Sequence, residues 1–449
     1  MTIPVSDLIS CVNTSICNVT TCELTILQLS SVSKDFDRSW VRSVQDVASL
    51  PAASLNKGRM IYVTSVCAYR ISDGVSWSND FTSTIQDFAV WSWGSNSAGQ
   101  LGICTTTNTS SPVSVVGGFS DWCQISAGLG SLSAAVRTNG TAWGWGCNQV
   151  GVLGDNSTTN SSSPVSVVGS FTDWCQISAA TCHTAAVRTN RTIWTWGLGS
   201  LGQLGDNTTT NKSSPVSVVG GFTDWCQVDT GFAHTVALRT GGSAWSWGEG
   251  TFGKLGDNTT TNRSSPVSVV GGFTDWCQVS AGSFSSAGVR RNGTAWGWGR
   301  NTCGALGDYT TTDSSSPVSV VGGFTDWCQI SVVSGTSVAV RSNGTIWAWG
   351  QGLCGRLGDN TTVDKSSPVS VVGGFTDWCQ SSTGGSTSAG MRTNGSTWSW
   401  GIGSLGRLGD NTTVDKSSPV SVVGGFTDWY QVSVGSSHTI ALNATRGFV

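Results

Sequence analysis

One segment, SPVSVVG, occurs seven times, with its proline at Pro112, Pro164, Pro215, Pro266, Pro317, Pro368 and Pro419. Those positions are 52 residues apart once and 51 apart thereafter. A period of this length means a repeat architecture, in which each unit buries its apolar face against a neighbour rather than alone. Two further markers keep the same step. WxWG begins at Trp91, Trp143, Trp194, Trp245, Trp296, Trp347 and Trp398, and Asp-Trp recurs from Asp121 to Asp428. Together they hold 21 of the 23 tryptophans, so these indoles belong to the repeat and not to a separate pocket.

Each unit reads as four short strands. Strand A is PVSVV, and a GGFTD turn leads to strand B, WCQIS. A Gly/Ser-rich turn leads to strand C, of the type HTAAVR, and an Asn-Gly turn to strand D, TAWGWG; Asn-Gly between strand-like runs is a hairpin signal. The 59 glycines and a charged fraction of only 11% fit turns and strands better than surface helices. Four antiparallel strands per unit predict a propeller blade. A solenoid would need a polar capping unit, and the last unit keeps its apolar pattern. The first marker is a D strand (Val90 to Gly94) and the last a C strand (His438 to Asn443). These two are expected to pair and close a ring, which removes exposed sheet edges. Trp91 and Trp93 on one side of that seam, and His438 and Ile440 on the other, are the expected closing residues. The expected fold is all-β: a seven-bladed β-propeller over 89–449, with an N-terminal arm and small β anchor module in 1–88.

The pattern in GFAHTVALRTGGSAWSWGEGTFGKLGDN, Gly231 to Asn258, resembles the regulator-of-chromosome-condensation repeat family over about 89–443. That resemblance implies a seven-bladed propeller and a binding role; its members include nucleotide-exchange and chromatin-binding factors and β-lactamase inhibitors. Within 1–88, RMIYVTSVCAYRISDGVSW (59–77) reads as a β-hairpin and resembles small modules of bacteriophage tail-fibre proteins. Residues 1–35 are Ser/Thr-rich, carry Cys11, Cys17 and Cys22, and are expected to form an extended arm that can pair with a neighbouring subunit.

Several chemistries are excluded. A net charge of −3 argues against nucleic acid, because phosphate binding needs clustered Lys and Arg. No stretch of 18 apolar residues predicts a membrane span, and MTIPVSDLIS does not read as a secretory signal. No metal or cofactor is expected: CxxC and HxxxH spacings, P-loops and dinucleotide fingerprints do not occur. His183, His234 and His438 share one repeat position, where another unit carries Ser, so a hydrogen bond at the turn is the reading rather than catalysis. The WxWG indoles alternate onto one strand face and are expected to pack between blades. Cys123, Cys175, Cys226, Cys277, Cys328 and Cys379 recur too far apart for disulfides and are expected to be small buried residues, with Tyr430 in the seventh unit. Arg137 and its counterparts lie at the same blade end as the Asp of TDW, which predicts ion pairs or turn caps.

The units differ from one another at two places: the B–C turn and the start of the D–A connection. In an up-and-down blade both lie on one face of the disc. Drift in surface loops would also touch the other face, so the variable face is expected to bind a ligand. Its larger residues, Leu129, Leu132, Phe232, His234, Glu249, Phe252, Phe284, Arg300 and Gln351, are the candidate contacts. The chain enters the first D strand from the constant face, so 1–88 is expected to emerge opposite the variable one. The resulting expectation is a non-enzymatic virion appendage or decoration protein. Residues 1–88 would join it to other virion proteins, and its display face would meet a host-surface or protein ligand. The alternative is a free binding or inhibitor propeller.

Overall fold

The computed structural model describes residues 87–445 and, before them, four short strands: β1 (Val41–Val44), β2 (Met60–Val63), β3 (Ala68–Ser72) and β4 (Trp77–Ser78). These four form one sheet in the order β1-β2-β3-β4. β2 and β3 pair antiparallel, Met60 opposite Ile71, as the hairpin reading of 59–77 expects, while β1 joins β2 in parallel. The arm expected over 1–35 lies outside the described residues.

The repeats fold into seven four-stranded antiparallel sheets. Blade 1 consists of Trp122–Ala127, Leu132–Arg137, Ala142–Gly146 and Ser161–Ser166. Blades 2 to 6 begin at Trp174, Trp225, Trp276, Trp327 and Trp378. Blade 7 takes strands from both parts of the chain, in the order Trp429–Val434, His438–Thr445, Asp87–Gly94, Thr109–Ser114. Its seam carries a hydrogen bond from Ser95 N to Ser437 O at 2.9 Å. Trp93, Ile440 and Val90 are sealed in the cores on either side. Tyr430, where the other units carry Cys, sets its ring 4.5 Å from Phe88 at this seam.

One expectation is corrected. Strand A does not open a blade beside strand B; it is the outermost strand of the preceding blade, with Ser166 opposite Trp143 on strand D. The proline explains the placement. Pro164 has no N–H to give to a ladder, and an edge strand is where that loss is tolerated and where it blunts edge pairing. GGFTD is therefore a crossover to the innermost strand of the next blade. The two faces keep their membership, because strand direction still alternates.

What joins blade to blade is a ring of glutamines. In each innermost strand the Gln of WCQ or WYQ places its amide against the backbone of the next blade's innermost strand. Gln124 Oε1 accepts from Ile177 N at 2.8 Å, and its Nε2 donates to Ile177 O at 3.0 Å. The same two-bond contact runs from Gln176 to Val228, Gln227 to Val279, Gln278 to Ile330, Gln329 to Ser381, Gln380 to Val432, and Gln431 back to Ile125. Strands splayed around an axis cannot form a ladder, so these side chains satisfy backbone groups that burial would otherwise orphan. Two residues on, Ser126 and its counterparts accept a backbone N–H from the next blade, as in Ala179 N to Ser126 Oγ at 2.9 Å. Blade 3 carries Asp229 there, which accepts from Ala281 N at 2.8 Å and Ser178 Oγ at 2.9 Å. Burial raises its carboxyl pKa.

Further out, apolar cores fill the gaps between blades, each built on two indoles such as Trp174 and Trp196 between blades 1 and 2. The second indole of WxWG is sealed as expected, whereas the first lies half-buried against the crossover phenylalanine, Trp143 on Phe119 at 5.0 Å. The glycine of LGD allows this closeness: at Gly154, φ is +71° and a Cβ would sit 2.7 Å from Trp196 Nε1. On the constant face six Arg–Asp pairs form at 2.7–2.8 Å, as expected. Each guanidinium also lies over the crossover phenylalanine, 4.0–4.4 Å from its centroid.

The cysteines depart from their expected burial. Trp122 faces Arg137 while Gln124 faces Val136, so Cys123 is the extra residue of a β-bulge and leaves the strand's alternation. Its counterparts Cys175 and Cys328 are exposed, and only Cys226 is fully buried. The Cys123 thiol donates to Val136 O at 3.4 Å, and desolvation pushes its pKa up to about 11.

The histidines are structural. His183, His234 and His438 hold Nε2 at 2.8–2.9 Å from a hydroxyl of the next blade, Thr235, Ser286 and Ser133. That hydroxyl donates onward to a carbonyl, so it accepts from the imidazole N–H. Nδ1 of His183 and His234 is buried with no partner for a second proton. Desolvation lowers the pKa to about 3 for His183 and about 4 for His438, and well below 6.5 for His234.

Two predictions follow from these contacts. Gln227→Met leaves Val279 N and O buried and unpaired, and should cost about 2–4 kcal/mol in urea denaturation; an unchanged midpoint would refute the role of the glutamine ring. The unfolded chain binds protons at these histidines near pH 6.5, and the folded chain only near 3 to 4 at His183 and His438 and well below 6.5 at His234. Stability is therefore full above about pH 7 and falls as pH drops, by about 1.4 kcal/mol per unit per histidine. Denaturation at pH 7 and pH 5 should show a smaller loss in the triple variant His183→Thr, His234→Ser, His438→Thr than in the parent.

Candidate binding surface

Every D–A connection contains GxLG, followed by Asp in six units and by Ile103 in the first, and the carbonyl of the residue x accepts one or two cross-blade bonds. The hydroxyl one residue into strand C of the next blade donates to it in all seven places, at 2.8–3.3 Å, from Ser133 onto Gln100 O round to Thr439 onto Arg407 O. The sealed indole adds a second bond at four of them, as from Trp196 to Val152 O at 2.8 Å. The backbone of x is thereby fixed while its side chain differs from unit to unit, buried in six of them and half-buried at Arg407. The seven residues are Gln100, Val152, Gln203, Lys254, Ala305, Arg356 and Arg407. This position was missed in the sequence reading, although its variation inside a constant motif was the available signal.

Around Lys254 the face becomes a built patch across blades 3 and 4. Phe232 comes from a B–C turn, Glu249, Phe252 and Lys254 from the following connection, Phe284 from the next B–C turn and Arg300 from the next connection. The ring of Phe284 lies 6.3 Å from Phe232 and 5.9 Å, edge to face, from Phe252. Arg300 stacks its guanidinium 5.0 Å from the Phe252 centroid and 5.3 Å from that of Phe284. Lys254 is fully buried, its Nζ 5.7 Å from the Phe284 ring centroid, and forms an ion pair with Glu249. Desolvation lowers its pKa, and Glu249 opposes that shift. Phe252 is 39% exposed at φ +61°, a left-handed conformation that costs a side chain about 1 kcal/mol.

Of the nine candidate contacts, five meet here: Phe232, Glu249, Phe252, Phe284 and Arg300. Leu129 and Gln351 are half-buried on the same face in blades 1 and 5, and Gln351 accepts from Arg356 Nη1 at 2.9 Å. Two are not on the surface. Leu132 is 1% exposed in the core between blades 1 and 2, and His234 is 0% exposed. Both begin strand C, where the side chain turns into the inter-blade gap rather than out of the turn.

The buried pair gives a test drawn from the repeat itself. Glu249→Ser leaves Lys254 charged without a partner and should cost about 3 kcal/mol. Adding Lys254→Gln should restore most of that, since the first repeat carries Ser95 and Gln100 at these positions. Additive losses in the denaturation cycle would contradict the pairing.

The RCC1-like domain model matches residues 89–441. The chain is 30% identical over 287 residues to the Arabidopsis thaliana ultraviolet-B receptor UVR8, covering 62% of this chain and 64% of that protein. It is 25% identical to the Xenopus laevis regulator of chromosome condensation, over 80% of this chain and 90% of that one. The human E3 ubiquitin-protein ligase HERC2 is 32% identical over 253 residues, 54% of this chain but 5% of HERC2, so the chain matches only a small part of that protein. Among solved structures, Prp20p of Saccharomyces cerevisiae superposes with a TM-score of 0.72 at 19% identity, covering 81% of this chain and 92% of that one. The chain belongs to the RCC1-like domain family.

Proposed function

We propose that this chain is a protein-binding propeller that meets its partner with the variable face and catalyses no reaction. The observation that carries this is the combination at GxLG: a backbone pinned to the next blade and a side chain that differs from unit to unit, leading into an exposed aromatic patch. A rigid scaffold carrying variable loops is how recognition surfaces are built. The three histidines are sealed and committed to inter-blade bonds, which argues against general-base chemistry. The Prp20p structure is described with binding to Gsp1p and histones, and another as Kap60 bound to yeast RCC1, so relatives of this fold bind proteins. No comparison supports a virion role; the phage appendage reading rests on the expected layout of anchor and display face, the missing catalytic set and the resemblance of 59–77.

A photo-crosslinking residue placed at Gln351 or Phe252 should capture a protein partner, while the same residue at Asn139 or Asn292 on the constant face should not. Capture confined to the constant face would overturn the assignment.

A further inference from the structure

Arg300 is the cation of the patch without an acid. Glu249, the acid of the cluster, is held by Lys254. Arg300 Nε is buried and makes no hydrogen bond, and the phenylalanine rings stacked on the guanidinium offer no lone pair. A guanidinium left this way lacks the bidentate oxygen partner to which its fork is matched. With Lys254 and Arg300 set against Glu249, the cluster carries a net +1. Beside this charge stand two exposed apolar groups, Phe232 at 42% and Phe252 at 39%. Phe252 holds its position in a strained backbone that a glycine would adopt freely.

We propose that the patch takes a peptide segment in which an aspartate or glutamate adjoins an apolar side chain. The carboxylate would sit on Arg300 and the apolar group against Phe232 and Phe252. This rests on the protein-binding reading above and names the chemistry of its partner. One unneutralised guanidinium in this patch, in a chain of net charge −3, suits one carboxylate rather than a phosphate backbone.

The test uses the full chain and fluorescently labelled peptides of Gly/Ser sequence carrying Asp-Phe, Asn-Phe or Asp-Ala, with a short oligothymidylate as a fourth probe. Asp-Phe should bind tightest in anisotropy titrations, with Asn-Phe and Asp-Ala each weaker by about tenfold or more. Arg300→Gln should erase the preference for Asp over Asn. Phe252→Gly should weaken binding by about tenfold while leaving Tm unchanged or raised, because it removes the ring and the backbone strain together. Equal affinity for Asn-Phe, tighter binding of the oligothymidylate, or a lowered Tm in Phe252→Gly would overturn the proposal. If every peptide fails while crosslinking still captures a protein through Gln351, the acidic–apolar chemistry is wrong and the protein-binding reading stands.

Discussion

The side-chain amide of glutamine has one donor end and one acceptor end, as a peptide group does. In this ring that equivalence is what lets blade follow blade. Each innermost strand lies next to another that it cannot pair with, because the blades radiate and their strands diverge. The glutamine takes the place of the missing backbone neighbour, seven times without a gap. Everything outside this ring, the indole cores and the pinned connections, depends on the blades being held at that spacing.

The carbonyl of x in GxLG extends the same logic to the surface. Cross-blade bonds normally constrain side chains, but here they fall on main-chain atoms, so side-chain identity is released. Lys254, Arg356 and Arg407 stand where other units place Gln, Val or Ala, without disturbing the bond from strand C. The patch of blades 3 and 4 exploits that freedom: a buried lysine and its glutamate form a floor beneath three phenylalanines and one unsatisfied arginine.

Much of this was legible in the residues. Period, phase and alternation fixed the ring, the closing strands, the inward indoles and the two faces, because these depend on patterns within one unit. Features that depend on a partner a whole unit away were hidden. Gln124 and its counterparts read as ordinary polar strand residues, since nothing local says that their neighbour is Ile177. Strand A was assigned to the wrong blade because a five-residue Gly-rich link reads equally as hairpin or crossover, and only the edge demand of Pro164 separates them. Cys123 was misplaced by a bulge, which adds a residue without leaving a mark in the pattern. At the surface, size and variability picked out phenylalanines and an arginine that the fold brings together in one patch. They mistook Leu132 and His234, the first residues of strand C, for the last residues of a turn.

Blade 7 also sets the order of events when the molecule is made. Its strands Asp87–Gly94 and Thr109–Ser114 emerge early in synthesis, and their partners His438–Thr445 and Trp429–Val434 emerge after all the other blades. Trp93 reaches its acceptor, Arg407 O, across 314 residues of chain. Until that late segment has left the ribosome, the early pair has an open edge and no core on one side. The ring is thus closed in one late, long-range step, and contacts of such sequence separation form slowly. During that interval, the bare edge of Asp87–Gly94 is the part of the nascent chain most in need of a chaperone's protection.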